Sequence, residues 1–372
     1  MHKREFRVQG GEAMKVLVTG YPGWVGRRLV EILNGTETDF KSERGMYGET
    51  QIRCLVQPTV PLDPPSAGRS SPSIIRGDLT DPAALDRFFE DSEGALVFHL
   101  AAVIHARRFV SEFHEANVRG TRNLLEAASR HKVRKVVAVS SSVPLGVNRT
   151  RDGVFTEEAP YHPYLEYGRS KMLMEELVNE AFRKGRMETV IVRPCRVYGP
   201  RPPDRFIRFL TLIQKGMVPV VGDGQNRQSM CYVDHLCQGL LRAGAVARSS
   251  GRTYWIADER PYTMMETIET VRRVFREDFG CRVPDRCLRL PGLTSRLAYG
   301  ADWLLQRAGL YVSAVHMVSE MDKTIACSIQ RAREELGYDP RVSLDEGIRR
   351  SIRWGVENGS IDCPPPGIGI KS

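Results

Sequence analysis

Residues Lys15–Gly26 read KVLVTGYPGWVG, a short β-branched run that stops at Thr19 and passes through three glycines into a segment of helical periodicity. An apolar run bounded by a turn in this way marks a strand buried on both faces. The helix after it is expected to end at Leu33, before the stop signal Asn34-Gly35. A glycine turn between strand and helix brings backbone N–H groups against an anion. Gly20 allows the tight bend, Gly23 admits phosphates and Gly26 lets helix and strand pack closely. Such a turn is common by chance, but in this setting it predicts a dinucleotide site built from Gly20, Tyr21, Gly23, Trp24, Val25 and Gly26.

Outward from this turn, short apolar runs alternate with helix-period segments as far as Val139. Strands are expected at Ile52–Val56, Ile74-Ile75, Ala95–Leu100, Lys135–Val139 and Thr189–Val192, with helices over Asn117–Arg130 and about Tyr167–Phe182. Asp81-Pro82 opens a further helix carrying Leu85, Phe88 and Phe89. That alternation predicts an α/β, Rossmann-type doubly wound parallel sheet with a smaller C-terminal substrate-binding region. We divide the chain into a tail (1–13), a dinucleotide-binding domain (14–195), a mainly substrate-binding region with segments returning to the first domain (196–360), and a second tail (361–372). Thr36–Thr50 and the proline-rich Pro58–Ser73 read as surface loops.

The 372 residues, 41% hydrophobic and 27% charged, exclude a disordered or disulfide-stapled small fold. A net charge of +9 spread without a basic block speaks for anionic small ligands and against nucleic acid. Eight cysteines without a C-x-x-C pair or zinc spacing suit reduced thiols and no metal, and no apolar run is long enough to span a membrane, so a cytoplasmic protein is expected. The histidines form no ligand set, and Cys195 reads as a buried inert thiol.

Tyr167 and Lys171 lie four apart on the expected helix and so share a face. A phenol is a poor acid–base group near neutrality, but an adjacent ammonium stabilises phenolate. Ser140-Ser141-Ser142 follow the strand Lys135–Val139 at the carboxyl edge of the sheet, where a hydroxyl can hold a reacting oxygen. Taken singly, these are an ordinary surface pair and an ordinary polar turn. Taken in order after the glycine turn, they are far more specific. Where an NAD site usually places an acid at the end of the second strand, this chain has Gln57, with Arg27, Arg28 and Arg53 as candidate partners for a 2′-phosphate. The cofactor reading is therefore NAD(P), leaning to NADP. Asp78 is placed to accept from an adenine amino group.

On the stretches TGYPGWVG (19–26), GDLTD (77–81), HLAA (99–102), NVRGT (117–121), SSS (140–142), YGRSK (167–171), RPCRVYGP (193–200) and YVDHL (232–236), the sequence resembles the extended short-chain dehydrogenase/reductase superfamily from Met14 to about Gly359. That superfamily holds nucleotide-sugar epimerases and dehydratases as well as 3β-hydroxysteroid dehydrogenases. The resemblance implies hydride transfer with a nicotinamide nucleotide, Tyr167 as general acid/base, Lys171 as its pKa-lowering partner and ribose ligand, and Ser142 as the orienting hydroxyl, with Ser141 as the alternative. It also implies Ala101 and Ala102 on the adenosine side, Leu79 and Pro194 in the same cofactor pocket, Asn117 as a brace or helix cap, and a homodimer.

For the substrate, Arg196 stands where nucleotide-sugar members carry Asn, while Arg227, seven residues before Asp234, lies near a phosphate-binding arginine of such enzymes. The stretches at 222–236 and 336–354 resemble the 3β-hydroxysteroid dehydrogenase branch. Pro291–Tyr311 is a basic amphipathic stretch able to cover an apolar pocket or touch a lipid surface. The expected activity is interconversion of a secondary alcohol and a ketone on a keto/hydroxy lipid, with a nucleotide-sugar 4-epimerase or ketoreductase as the alternative. Dehydration is disfavoured because no Asp-Glu pair stands in the strand-end turn. A non-catalytic NAD(P)-binding regulator is the rival of another class, and it has no need of Tyr167 and Lys171.

Overall fold

The computed structural model describes residues 13–35, 40–62 and 71–363. Nearly all of the first expected tail and much of the Pro58–Ser73 loop lie outside the described residues. In chain order the strands are β1 (Met14–Thr19), β2 (Thr50–Val56), β3 (Ser73–Arg76), β4 (Leu96–His99), β5 (Lys135–Val139), β6 (Glu188–Pro194), β7 (Arg196–Tyr198), β8 (Pro219–Val221), β9 (Arg227–Tyr232), β10 (Arg252–Ile256), β11 (Pro261–Thr263) and β12 (Leu288–Leu290). The longer helices are α1 (Trp24–Leu33), α2 (Pro82–Phe89), α3 (Gly120–Arg130), α4 (Leu165–Arg183), α5 (Asp204–Gln214), α6 (Val233–Ala245), α7 (Met264–Glu277), α8 (Leu293–Arg307), α9 (Ser313–Glu320) and α10 (Leu344–Glu357).

Seven strands form one sheet in the order β10-β6-β5-β4-β1-β2-β3, and every pairing in it is parallel. Strand order reverses between β1 and β4, so the connections leave these neighbours in opposite directions and open a crevice at their carboxyl ends. The apolar runs bury on both faces: Val16 and Val18 enter one core, Leu17 the other. One face receives α1 and α6, the other α2, α3 and α4. The α/β reading therefore holds.

Beyond β6, a second core gathers Tyr198, Leu210, Ile213, Tyr232, Val271 and Ile348 beneath the small sheet β11-β9-β7. β10 returns to the large sheet beside β6. Two expectations change here. Ile361 is buried and Cys363 is bonded to Cys281, so residues 361–363 belong to the fold and one cysteine pair is oxidised. Sequence spacing gave no sign of this, because 82 residues separate the two and only the packing of Ile361 onto Gly355 of α10 brings them together. Among the described residues no helix is long and apolar enough to cross a membrane.

Candidate active site

The crevice floor is the turn from β1 to α1. Gly20 adopts φ +87°, and a Cβ there would stand 2.7 Å from the Ala101 amide nitrogen. A Cβ at Gly26 would stand 2.5 Å from the Gly20 carbonyl oxygen, so this glycine is required for packing rather than ligand access. Gly23 caps α1 without a side-chain hydrogen bond, and the first turn carries no acid. Its leading amides and the positive end of the helix dipole are thus suited to an anion. The turn is braced from below: Thr19 Oγ1 lies 2.8 Å from His99 Nδ1, whose Nε2 lies 2.9 Å from Thr121 Oγ1. Burial, helped by the charge of Lys171, brings His99 down to about 3, so the ring is neutral. It is structural, as read from the sequence.

At the end of β2 and β3, Asp78 closes its own turn by accepting from the Thr80 amide (2.8 Å) and hydroxyl (2.7 Å), and Gln57 donates to its other oxygen at 3.0 Å. Burial opposes ionisation of Asp78, but these hydrogen bonds outweigh it and hold the carboxyl below its usual range. Leu79 packs against Gly120. The bonds of two candidate 2′-phosphate partners, Arg28 and Arg53, lead elsewhere. Arg28 pairs with Asp234 at 2.5 Å, and Arg53 donates to the carbonyls of Phe88 (2.9 Å) and Glu90 (2.5 Å).

Across the crevice, β5 ends in the serine turn and α4 presents Tyr167 and Lys171, both buried. The turn differs from expectation in detail. The Ser141 hydroxyl is close enough to the Tyr167 phenol to favour its ionisation. Ser142 opens the 3₁₀ turn Val143–Leu145 through its main chain, its carbonyl accepting from the Leu145 amide at 3.1 Å. Pro144 favours this tight turn. Ser140 Oγ is buried with no partner, a polar atom left for a ligand.

The electrostatics also differ. Burial pushes the Tyr167 phenol up to about 12, against the Ser141 hydrogen bond and the positive charge of Arg205. Burial brings the Lys171 ammonium down to about 8, against the charge of Glu175, which raises it. Lys171 Nζ donates to the Val139 carbonyl at 2.7 Å. The charge of Arg205, in the first turn of α5, also favours ionisation of the phenol. Arg205 also contacts His105, and the charge of nearby Arg196 acts on it. No spacing in the sequence linked residue 205 to residue 167.

The phenol sits in an apolar cluster of Ala106, Phe113, Val143 and Tyr311. The Phe113 ring centroid lies 5.5 Å from that of Tyr167 and 5.2 Å, edge-on, from that of Tyr311. Asn117 is a brace and not a helix cap: it lies within a π-helical turn, accepts from the Val103 amide at 2.8 Å and donates to Ser170 of α4 at 3.0 Å. A buried pair unseen in the sequence, Arg193 with Glu175 at 2.9 and 2.6 Å, ties β6 to α4 one turn beyond Lys171. Of the other expected site residues, Ala101 donates to Thr19 Oγ1 at 3.3 Å and Ala102 follows it on the same loop. Pro194 ends β6 and Arg196 is exposed on β7. Arg227 is half-buried, 3.9 Å from Asp152. Cys195 Sγ lies 3.4 Å from Cys327 Sγ, and this contact together with burial holds the Cys195 thiol well above its ordinary value.

A parallel sheet whose strand order reverses between β1 and β4 above a glycine turn is a dinucleotide-binding architecture. The chain belongs to the NAD dependent epimerase/dehydratase family, which matches over residues 16–257. It is 42% identical over 347 residues, 92% of this chain and 96% of the other, to the uncharacterized protein y4nL of Sinorhizobium fredii. It is 27% identical to a 2-alkyl-3-oxoalkanoate reductase of Stenotrophomonas maltophilia, over 91% of this chain and 98% of that one. Among solved structures it is similar to a dTDP-glucose 4,6-dehydratase of Streptomyces venezuelae with NAD and TYD bound, at 25% identity and a TM-score of 0.69, covering 93% of this chain and 98% of that one. A Thermotoga maritima UDP-glucose 4-epimerase with UDP-glucose shares the fold at 20% identity and a TM-score of 0.68, covering 93% and 99%. The protein is an enzyme, an oxidoreductase of the epimerase/dehydratase type.

Proposed function

We propose that the protein interconverts a secondary alcohol and a ketone on a substrate with an apolar body, with Tyr167 moving the proton. The observation that carries this reading is the setting of the phenol among Phe113, Val143, Ala106 and Tyr311, with the Ser141 hydroxyl near it. A nicotinamide nucleotide supplies or accepts the hydride when bound. The leading amides of α1, the glycine turn and the orphan Ser140 hydroxyl fit such a group, with Gly23, Trp24 and Val25 against its phosphates. In the reducing direction, the Tyr167 O–H gives its proton to the carbonyl oxygen while Ser141 orients that oxygen; oxidation runs the same transfer backwards. A phenol held near 12 keeps its proton until the oxygen arrives. Apolar walls exclude water from the exchange.

We read the chemistry as carbonyl–alcohol interconversion of the 3β-hydroxysteroid-dehydrogenase kind in preference to dehydration; supporting this, Ser142 and Val143 occupy the strand-end turn with no carboxylate there. The oxoalkanoate reductase among its relatives supports the same reading. The nucleotide-sugar epimerase reading is favoured by one observation, the cation Arg205 near the phenol with Arg196 near it in turn, a pair that suits a diphosphate as well as a carboxylate. For the cofactor, we favour NAD over the NADP inferred from sequence, because Arg28 and Arg53 are engaged and the solved dehydratase carries NAD.

The test is to offer NADH and NADPH with panels of long-chain keto acids, keto-steroids and UDP- or dTDP-sugars and to follow nicotinamide absorbance. Oxidation by the keto lipids supports the proposal. Turnover confined to nucleotide sugars overturns it in favour of the epimerase.

A further inference from the structure

Helix α8 is amphipathic in the wrong sense for water. Its buried side carries Ser295 and Asp302 at 0% exposure and Gln306 at 5%. Its outward side carries Leu293 at 60%, Leu297 at 66% and Leu304 at 62%, spaced at i, i+4 and i+11 along one stripe, with Trp303 beside it. A surface helix ordinarily turns its leucines inward. Here the inversion is stabilised by satisfied polar contacts underneath. Asp302 accepts from Gln306 at 2.8 Å and pairs with His316 of α9 at 2.7 Å. Gln306 in turn accepts from the Glu166 amide of α4 at 3.0 Å. The leucine stripe is thus presented by construction.

The exposed charges of the helix itself are basic, and Asp285, the exposed acid three residues before Leu288, is paired with Arg276 at 2.5 Å. On α8 and α9 the exposed charged residues are Arg296 and Arg307, and the Arg307 guanidinium lies 4.9 Å from the Trp303 ring centroid. Leu288 and Arg289 are exposed just before the helix. At its far end Leu310 bridges to Phe109, which is exposed beside Arg107 and Arg108. The acid nearest in sequence, Glu112, spends its carboxylate on the amides of residues 107–109.

We propose that the outward face of α8, with Leu288 and Phe109 at its ends, docks on an anionic lipid bilayer surface. Leucines and a tryptophan flanked by arginines match the acyl boundary and the acidic headgroups of such a surface. A second copy of this chain fits worse. A two-fold contact would set Arg296 and Arg307 against themselves, with no outward acid on the hairpin to receive them. The hairpin leads into Tyr311, whose ring packs on Phe113 beside Tyr167, so the docked face is continuous with the apolar wall of the site. The docking does not depend on which substrate is turned over.

The test is co-sedimentation of the full chain with vesicles of phosphatidylcholine and phosphatidylglycerol in equal parts, and with phosphatidylcholine alone, alongside its mass by light scattering. The wild type is expected to pellet with the anionic vesicles, at least about tenfold more than with the neutral ones, and to be released by salt. Leu297→Glu with Leu304→Glu should lose the vesicles while keeping the wild-type melting temperature. Arg296→Glu with Arg307→Glu, which leaves the leucines in place, should weaken only the anionic preference. Failure of the wild type to pellet, or equal binding to both vesicle types, overturns the proposal. A drop from dimer to monomer on the leucine substitutions, without vesicle binding by the wild type, would assign the face to a second copy instead.

Discussion

The ammonium of Lys171 donates to the carbonyl of Val139 at 2.7 Å, joining α4 to the last residue of β5. This bond sets the height of Tyr167, one helical turn earlier, above the serine turn that follows Val139. Lys171 is therefore a positioning residue in the structure as it stands, and burial brings its charge down to about 8 from an ordinary 10.5.

Between those two values the unfolded chain binds more protons at this site than the folded one, so Lys171 makes stability rise with pH across that window. Lys171→Met should remove that rise, and at neutral pH it leaves the Val139 carbonyl without its partner at a cost of about 1–3 kcal/mol, offset in part by relief of the buried charge. Urea melts of both proteins at neutral and alkaline pH check it. Parallel stability profiles would contradict the assignment.

Ser141 and Ser142 separate cleanly as targets. Ser141→Ala should lower kcat by about 10²-fold with cofactor affinity unchanged, while Ser142→Ala should stay within a few-fold of wild type. Steady-state kinetics on the two variants decide between them, and the reverse ranking would restore Ser142 to the role read from the sequence.

Arg53 provides a check on cofactor choice. Because its guanidinium closes the carbonyls of Phe88 and Glu90, Arg53→Ala should cost about 1–2 kcal/mol of stability and leave the ratio of kcat/KM for NADH and NADPH unchanged. A selective loss of NADPH use would show that this arginine does meet a 2′-phosphate.

Burial opposes protonation of His316, but the hydrogen bond to Asp302 and the charges of Glu320 and Asp302 outweigh it and raise the ring above 6.5. A raised histidine contributes stability that is fully present below its unfolded value and is lost as pH rises through the folded value. The difference in melting temperature between wild type and His316→Phe should thus shrink as pH increases from the mildly acidic range past neutrality. A difference independent of pH would mean that the pair does not titrate in this window.

The fold was legible because each element of the large sheet carries its own local signal. The run KVVAV predicts β5 to the residue, and Asn34-Gly35 ends α1 where the structure ends it. The tyrosine and lysine were legible because their spacing is a property of one helix. What escaped depends on distance in the chain. Arg205 acts on Tyr167 from a helix nearly forty residues further along the chain, and Cys363 meets Cys281 through a buried isoleucine two residues upstream. Ser142 and its alternative Ser141 were not separable in the sequence, since a proline-tightened 3₁₀ turn and an open loop look alike in a short polar run. The stripe of Leu293, Leu297 and Leu304 was visible as periodicity, but which face of it turns outward depends on Asp302 finding His316.

The central claim is that Tyr167 transfers the proton, and the most direct measurement is single-turnover nicotinamide absorbance on Tyr167→Phe beside a fluorescence titration of the same variant with NADH. The account predicts a fall of about 10²–10⁴-fold in the chemical step with NADH affinity close to wild type. Turnover near the wild-type rate in a variant without that hydroxyl would contradict it.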